Sequence, residues 1–584
     1  MARYAIKTLE FDKVKAMLAA KASTFLGKQA VVKLAIESDF MRVQRLQEET
    51  AEAVRLLDEG KRFPFGGAFN IEGELKRAQL GSILLPEELL HVMTTAAAIR
   101  SMKQFLAENE EDAPALQDYG SDMQVFSRLE KQIDQAIDDH GEIKDNASPK
   151  LNGLRNAIVI AKNRVKEKLD SLLHDPNNQK YFMDNLVTMR GDRYVIPVKQ
   201  EYKMNFPGIV HDQSGTGATL FIEPMAVVNL NNDIKRYIAE EREEVERILR
   251  QLTQNVGQEA EALLKSLELF TKLDVICAKA YLAQEQHAVR PMLSVNGGVE
   301  IHQGRHPLLN QDTVVPLDVQ LGEKFSMLLI TGPNTGGKTV ALKAVGIFAL
   351  MAQTGMFIPA SSAKLPVFRA VYADIGDEQS IEQSLSTFSG HMTNLIGILK
   401  EVKERDLVLV DEICAGTDPN EGAALAMSIL EHLHENKVLT MVTTHYSELK
   451  TFAYGHEGME NASVEFDPVS LRPTYRLLMG VPGSSNAFNI SRRLGLADSI
   501  IDQAGRLLNQ EHVHMETVLQ ELEGERRRYE SGSKEIDALR LESGVTSLLM
   551  LSRSLNVAKM KCCVRLENRL TIFIVAAVVS LRLF

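Results

Sequence analysis

The sequence predicts a multidomain protein of α and α/β type: a helical core, a long-helix arm with a small β-rich tip, and a P-loop α/β domain. Three observations predict it. Two runs of helically spaced apolar residues bracket a stretch rich in β-branched residues and turns. The stretch ITGPNTGGKT, Ile330 to Thr339, follows an apolar strand pattern. At 584 residues and 65.0 kDa the chain is too long for one core, so about three or four domains are expected.

Residues 1–125 read as a helical core broken at Phe65-Gly66-Gly67 and Pro86. From Leu151, the residues Leu154, Ile158, Val165, Leu169 and Leu172 recur at helical spacing and form one stripe. A longer stripe runs through Ile234, Ile238, Val245, Ile248, Leu252, Val256, Leu263 and Leu267, with no proline between Pro224 and Pro291. A helix over 226–268 would extend roughly 60 Å, so it protrudes from a domain. Between the stripes, LVTMRGDRYVIPVKQEYKMNFPGIVHDQSGTGATLFIEP reads as short strands and hairpins. The expected parts are therefore ascending helices at 126–180, a β-rich module at 181–224 and descending helices at 225–294. An ordinary α+β domain is the plainer alternative. Over 295–510 the texture is α/β, with strands at Met327–Ile330, Leu407–Val410 and Val438–Thr443. Residues 511–543 are charged and helical in pattern, and 544–584 differ in composition from all that precedes them.

Charge and cysteine usage narrow the function classes. The formal net charge is −12 and the pI about 5.7, so nucleic-acid contact must come from local patches. The four cysteines, Cys277, Cys414, Cys562 and Cys563, form no C-x-x-C pair, so neither a zinc site nor a disulfide framework is indicated. The N-terminus lacks the apolar core of a secretory signal, and the run Ile572 to Leu581 is too short to span a bilayer as a helix. A reduced, cytoplasmic protein with no membrane partner is expected.

Gly332, Pro333, Asn334, Thr335, Gly336, Gly337, Lys338 and Thr339 fit the phosphate loop G-x-x-x-x-G-K-[ST]. Its glycines let backbone N–H groups face phosphate, reinforced by the following helix N-terminus. Lys338 is expected to neutralise β and γ phosphates, and Thr339 to ligate Mg²⁺. Asp411 and Glu412 end the strand LVLV, 73 residues after Lys338. Asp411 is expected at Mg²⁺, and Glu412 as the residue that orients or deprotonates the attacking water. His445 ends another apolar strand, where it reads as a γ-phosphate sensor or as a hydrogen-bonded structural histidine.

Between these motifs lies DIGDEQSIEQSLSTFSGHM, and here the chain resembles the MutS proteins, whose ATPase is of the ABC class. The matching residues are TGPNTGGKT, Asp374-Ile375-Gly376-Asp377 with Gln379-Ser380, Ser386-Thr387-Phe388, Asp411-Glu412, Gly416-Thr417-Asp418-Pro419 and Thr444-His445, with Gly304-Arg305-His306-Pro307 upstream. The resemblance implies ATP and Mg²⁺ as ligands, and a homodimer whose ATPase domains sandwich the nucleotide. It places Ser386 on γ-phosphate in trans and Asn334 on it in cis. It also makes the arm the family's lever, its tip the clamp, and 295–510 the ABC-type ATPase domain. One departure concerns the base: Thr313-Val314-Val315-Pro316 offers no aromatic to stack on adenine.

No N-terminal mismatch-recognition domain is apparent, and the one Phe-x-Glu, Phe221-Ile222-Glu223, falls in the clamp. The chain therefore resembles the bacterial MutS-II subfamily, which implies branched or double-stranded DNA, or the ribosome and its RNA, as partner. Arg190, Arg193, Lys199 and Lys203 are the candidate nucleic-acid contacts, set against five acidic residues in 181–224. Charge does not choose between the two partners. An ATP-driven mechanoenzyme and a nucleotide-gated binding scaffold with slow hydrolysis both fit. Subfamily members end in a charged linker and an Smr domain credited with nuclease activity. Residues 511–543 resemble the linker's start, whereas 551–584 carry six basic residues, one acidic residue and no D-L-[HR]-G motif. ATP hydrolysis and binding without nuclease activity is the expectation, with the tail read as a foreign frame or truncated gene model.

Overall fold

A computed structural model describes residues 4–332, 337–376, 387–467, 472–481, 483, 488, 491–492 and 495–507. Pro333, Asn334, Thr335, Gly336 and Ser386, the linker 511–543 and the tail 544–584 lie outside the described residues. The chain forms two compact units. The first holds the residues up to Glu323 with Lys343–Ala373 and Glu404–Leu407; the second holds Lys324–Leu342, Asp374–Lys403 and the residues from Val408 on.

The first unit opens with α1 (Phe11–Lys21), α2 (Phe25–Val32), α3 (Phe40–Asp58) and α4 (Glu72–Gln79). It continues with α5 (Pro86–Glu108), α6 (Pro114–Asp122) and α7 (Ser127–Ala136). Side chains start several of these helices: Thr24 Oγ1 accepts from Gly27 N, and Asp39 Oδ1 from Arg42 N, both at 2.9 Å. Pro86 and Pro114 occupy first turns, where a missing N–H costs nothing. Then α8 (Pro149–His174) ascends, and α9 (Met225–Glu285), 61 residues long, descends for roughly 90 Å.

The lower half of α9 is the body's axis. Ile248, Leu252, Val256 and Leu263 pack among Ile71, Leu89, Leu129 and Ile133. Further down, Phe270, Leu273 and Ile276 pack with Leu56, Phe65, Met102 and Leu116. Gly257 is needed on this helix because a Cβ there would stand 2.8 Å from the Ala78 carbonyl oxygen.

Between α8 and α9 lie β1 (Thr188–Arg190), β2 (Arg193–Lys199), β3 (Gly208–Gln213) and β4 (Thr219–Pro224). They form an antiparallel sheet in the order β1-β2-β4-β3, with Ile196 and Val210 both opposite Ile222. Ile196, Val198, Ile222, Phe182 and Phe206 share one core with Val165 and Leu169 of α8 and Val227 and Ile234 of α9. Each such side chain contributes about 1.5–3 kcal/mol on burial, so this core holds the tip to the arm. The same unit carries β5 (Met292–Ser294), β6 (Val299–Gly304), β7 (Leu317–Leu321) and β9 (Ser362–Pro366), in the order β5-β9-β6-β7. His306, just after β6, is buried; burial pushes its imidazole down to about 4, and Nδ1 accepts from Leu308 N. It is a structural histidine.

The second unit is built on β8 (Met327–Thr331), β11 (Asp406–Val410), β12 (Leu439–Thr444), β13 (Met459–Asp467) and β14 (Arg472–Met479). They lie side by side in the order β11-β12-β8-β13-β14. β8 pairs in parallel with β12 and β13, and β13 is antiparallel to β14. Every residue of β8 and β11 is buried, as expected of strands covered on both faces. The second unit also holds α11 (Thr387–Glu401), α12 (Pro419–Glu435), α13 (Ser447–Gly455) and α14 (Asp498–Leu507), while α10 (Lys338–Gln353) and β10 (Ala370–Asp374) are divided between the two units. Among the described residues no helix is long and apolar enough to cross a membrane.

Candidate functional site

Three adjacent strands deliver the site. β8 ends at Thr331, whose Oγ1 donates to Ala462 O (3.2 Å) and accepts from Gly483 N (2.7 Å). Beyond the loop, α10 begins with Lys338, which is buried and donates from Nζ to Gly332 O at 2.8 Å. Burial lowers the Lys338 ammonium to about 8, against the opposing pull of Glu412 and Asp411. Thr339 Oγ1 donates to Asp411 Oδ2 at 2.6 Å. From β12, Thr443 Oγ1 donates to the other oxygen of Asp411 and accepts from Glu412 N at 2.8 Å.

Glu412 and Cys414 have φ of 50° and 56°, left-handed values that cost a non-glycine residue about 1–2 kcal/mol. The Thr443 hydroxyl helps to hold this turn. His445 Nε2 lies 3.1 Å from both Glu412 Oε1 and Lys338 Nζ. A single ring nitrogen either accepts from the lysine or donates to the glutamate, so the imidazole proton decides which partner it serves.

The structure thus brings together Gly332, Lys338, Thr339, Asp411, Glu412 and His445, as expected from their spacing. It also gives contacts to Asp374, quoted in the sequence only as part of a motif, and adds residues that the sequence reading missed. Asp374 O accepts from Asp411 N (2.9 Å), and its carboxylate meets His391 Nδ1 (3.1 Å) and Asn394 Nδ2 (2.7 Å). Tyr475 of β14, with φ of 61°, is half exposed and lies beside Gly337. A Cβ at Gly337, whose own φ is 91°, would come within 3.1 Å of its ring. Thr443 could have been found from its place two residues before His445; Tyr475 has no local signal.

The donor set suits a small, hard cation. Asp411 and Thr339 place a carboxylate and a hydroxyl together beside the loop, as Mg²⁺ requires when phosphate and water complete its shell. Among the described residues no group of three or more His, Cys, Asp or Glu forms a metal cage.

Comparison with known proteins gives the chain's family. Residues 328–512 match the family model MutS domain V. A protein named Endonuclease MutS2 from Symbiobacterium thermophilum is 52% identical over 526 residues, 90% of this chain and 66% of that protein. Its namesake from Geobacillus sp. is 49% identical over 529 residues, 90% of this chain and 68% of that one. Putative endonuclease MutS2 of Bacillus subtilis is 46% identical over 544 residues, 92% of this chain and 69% of that protein. The chain belongs to the MutS2 family. It spans about two thirds of the length of these MutS2 relatives.

In this MutS2-family chain the candidate tip contacts need correction. Arg193 is not open to phosphate: its Nη1 donates to both oxygens of Glu223 (2.7 and 2.9 Å) and its Nη2 to Asn232 (2.6 Å). Glu223, 0% exposed, also meets His211 Nε2 and Asn231 Nδ2, so the Phe-x-Glu triplet ends in a buried structural carboxylate. Arg190 pairs with Asp212 (3.0 Å) and stacks over Phe221 (4.0 Å). Lys199 Nζ reaches only the Lys180 carbonyl (3.5 Å), and Lys203 is exposed with no ion pair among the described residues. Cross-strand pairing, invisible in a count of charges, has used up two of the four.

Proposed function

We propose that this protein is a nucleic-acid-binding ATPase that works as a homodimer, its arms moved by nucleotide. The observation that carries the reading is the convergence of Lys338 and Thr339, at the start of α10, with Asp411, Glu412 and His445, just past the ends of adjacent strands. Lys338 would exchange Gly332 O for the β and γ phosphates, and its ammonium would recover solvation lost to burial. Thr339 and Asp411 would hold Mg²⁺, which neutralises phosphate charge when bound. Glu412 would accept a proton from the attacking water. His445, hydrogen-bonded to Glu412, would fix that carboxylate's direction and report occupancy through the proton it shares. Tyr475 would offer the base an aromatic face, the feature missing from Thr313–Pro316. Ser386 of a second copy and Asn334 would complete the γ-phosphate site, as the MutS resemblance implies.

The substrate classes supported by that resemblance are branched DNA, with suppression of recombination, and the collided ribosome, with its splitting. Buried Cys277 and Cys414, both free thiols, suit a reduced cytoplasmic setting. Steady-state hydrolysis tests the reading. Lys338→Ala is expected to abolish triphosphate binding. Glu412→Gln is expected to bind ATP and lose about 10²–10⁴-fold in turnover. Normal turnover by Glu412→Gln would remove Glu412 from the mechanism. A rate raised many-fold by DNA or ribosomes favours the mechanoenzyme; a flat rate favours a gated scaffold. The relatives' name makes nucleic-acid cleavage a second reading, tested by incubation with plasmid and branched DNA in Mg²⁺ or Mn²⁺.

A further inference from the structure

The arm carries a charge asymmetry that the tip does not. α8 holds six basic residues and two acidic ones, Glu167 and Asp170, in a chain of net charge −12. Its lower cations are consumed locally: Lys150 pairs with Glu244, and Arg155 with Glu241 and Asp145. Its upper cations, Lys162, Arg164, Lys166 and Lys168, have no ion pair among the described residues. The reason lies in the neighbouring helix. Upper α8 packs on Val227 and Ile234 of α9, and residues 225–238 hold one acid, Asp233, which pairs with Arg236.

Helix geometry sorts the four cations. The buried stripe of α8 runs through Leu154, Ile158, Ala161, Val165 and Leu169. At about 100° per residue, Lys162 and Lys166 fall on one flank of the helix and Arg164 and Lys168 on the other. The outward ridge between them is Asn156, Ile160, Asn163, Glu167 and Asp170, all exposed, with Ile160 52% accessible and the two carboxylates confined to its upper end. Two cations on each flank of a helix about 10–12 Å across match two phosphate strands bordering a major groove about 12 Å wide. The ridge residue types suit base edges: asparagine for adenine, an aliphatic for the thymine methyl, and glutamate for the cytosine amino group.

We propose that upper α8 seats in the major groove of duplex DNA, Lys162 and Lys166 on one phosphate strand and Arg164 and Lys168 on the other. This rests on the nucleic-acid-binding part of the proposed function and names the surface and the substrate form.

The test is anisotropy of a fluorescein-labelled DNA duplex titrated with the full chain across a salt series. An RNA duplex of the same sequence serves as the second probe. The quadruple variant Lys162→Gln, Arg164→Gln, Lys166→Gln, Lys168→Gln is expected to lower the salt slope by up to about 3–4, near 0.9 per lost phosphate. Lys235→Gln with Arg242→Gln, exposed cations on α9, is expected to leave it unchanged. The RNA duplex, whose deep and narrow major groove excludes side chains, is expected to bind more weakly. Matching melting midpoints show that the variants fold. An unchanged slope in the quadruple variant, while the parent chain binds DNA, overturns the α8 surface alone. Equal affinity for both duplexes overturns the groove geometry. A parent chain with no salt-dependent binding to either duplex overturns the duplex-binding reading itself.

Discussion

One hydroxyl, Thr443 Oγ1, donates to Asp411 and accepts from the Glu412 N–H, so both acidic residues take their positions from a side chain on another strand. Thr443→Val keeps the shape and removes both bonds, leaving a strained left-handed Glu412 without its anchor. Hydrolysis is expected to fall at least tenfold with ATP binding kept, and Thr443→Ser to restore most of it, at about 1–3 kcal/mol for the lost bonds. Unaltered turnover in Thr443→Val would show that the turn holds itself. The Lys338 ammonium sets a pH dependence. Burial lowers it to about 8, and only the charged form attracts phosphate. Affinity for fluorescent ATP should hold below pH 8 and weaken above it, by up to about tenfold per unit. A flat profile to pH 9 would mean that Lys338 is charged throughout. The meeting of Thr339 with Asp411 was legible in the sequence, because the G-x-x-x-x-G-K-[ST] pattern and the acidic pair after a strand dictate residue types and spacing. Tyr475 was not, because it reaches the site from a strand remote in sequence that no local pattern records, and Thr443 was legible only through its place two residues before His445.

At the scale of elements, periodicity carried the arm and then ran out for a physical reason. The stripe read through Leu267 predicts a helix over 226–268, whereas α9 continues to Glu285. From Phe270 to Ala283 nearly every residue is buried, so there is no polar face against which a stripe stands out. The β tip was legible as strands but not as charge pairs. Arg193, counted as a phosphate contact, is the partner of Glu223, and that pair also gathers His211 and Asn231 around it. Removing one member of such a pair strands the other, at a cost of about 3–5 kcal/mol. Glu223→Ala is therefore expected to speed amide exchange across 188–224 while basal ATP hydrolysis persists. Protection equal to the parent chain's would deny the pair its structural role.

At the scale of the molecule, a net charge of −12 coexists with an arm helix whose six basic residues face two acidic ones. The acidic remainder disfavours nonspecific attachment to polyanions, and the local cations fix where attachment occurs. Lys338, Thr339, Asp411, Glu412 and His445 come from one copy of the chain, and the proposed function adds a second copy's Ser386 to each nucleotide. The most direct test mixes Lys338→Ala with Ser386→Ala and measures steady-state ATP hydrolysis. Each variant alone should be nearly inactive. In a heterodimer one composite site holds both lesions and the other holds neither, so random mixing should restore about a quarter of parental activity in a symmetric dimer. No recovery, with heterodimers shown to form, would contradict the shared site.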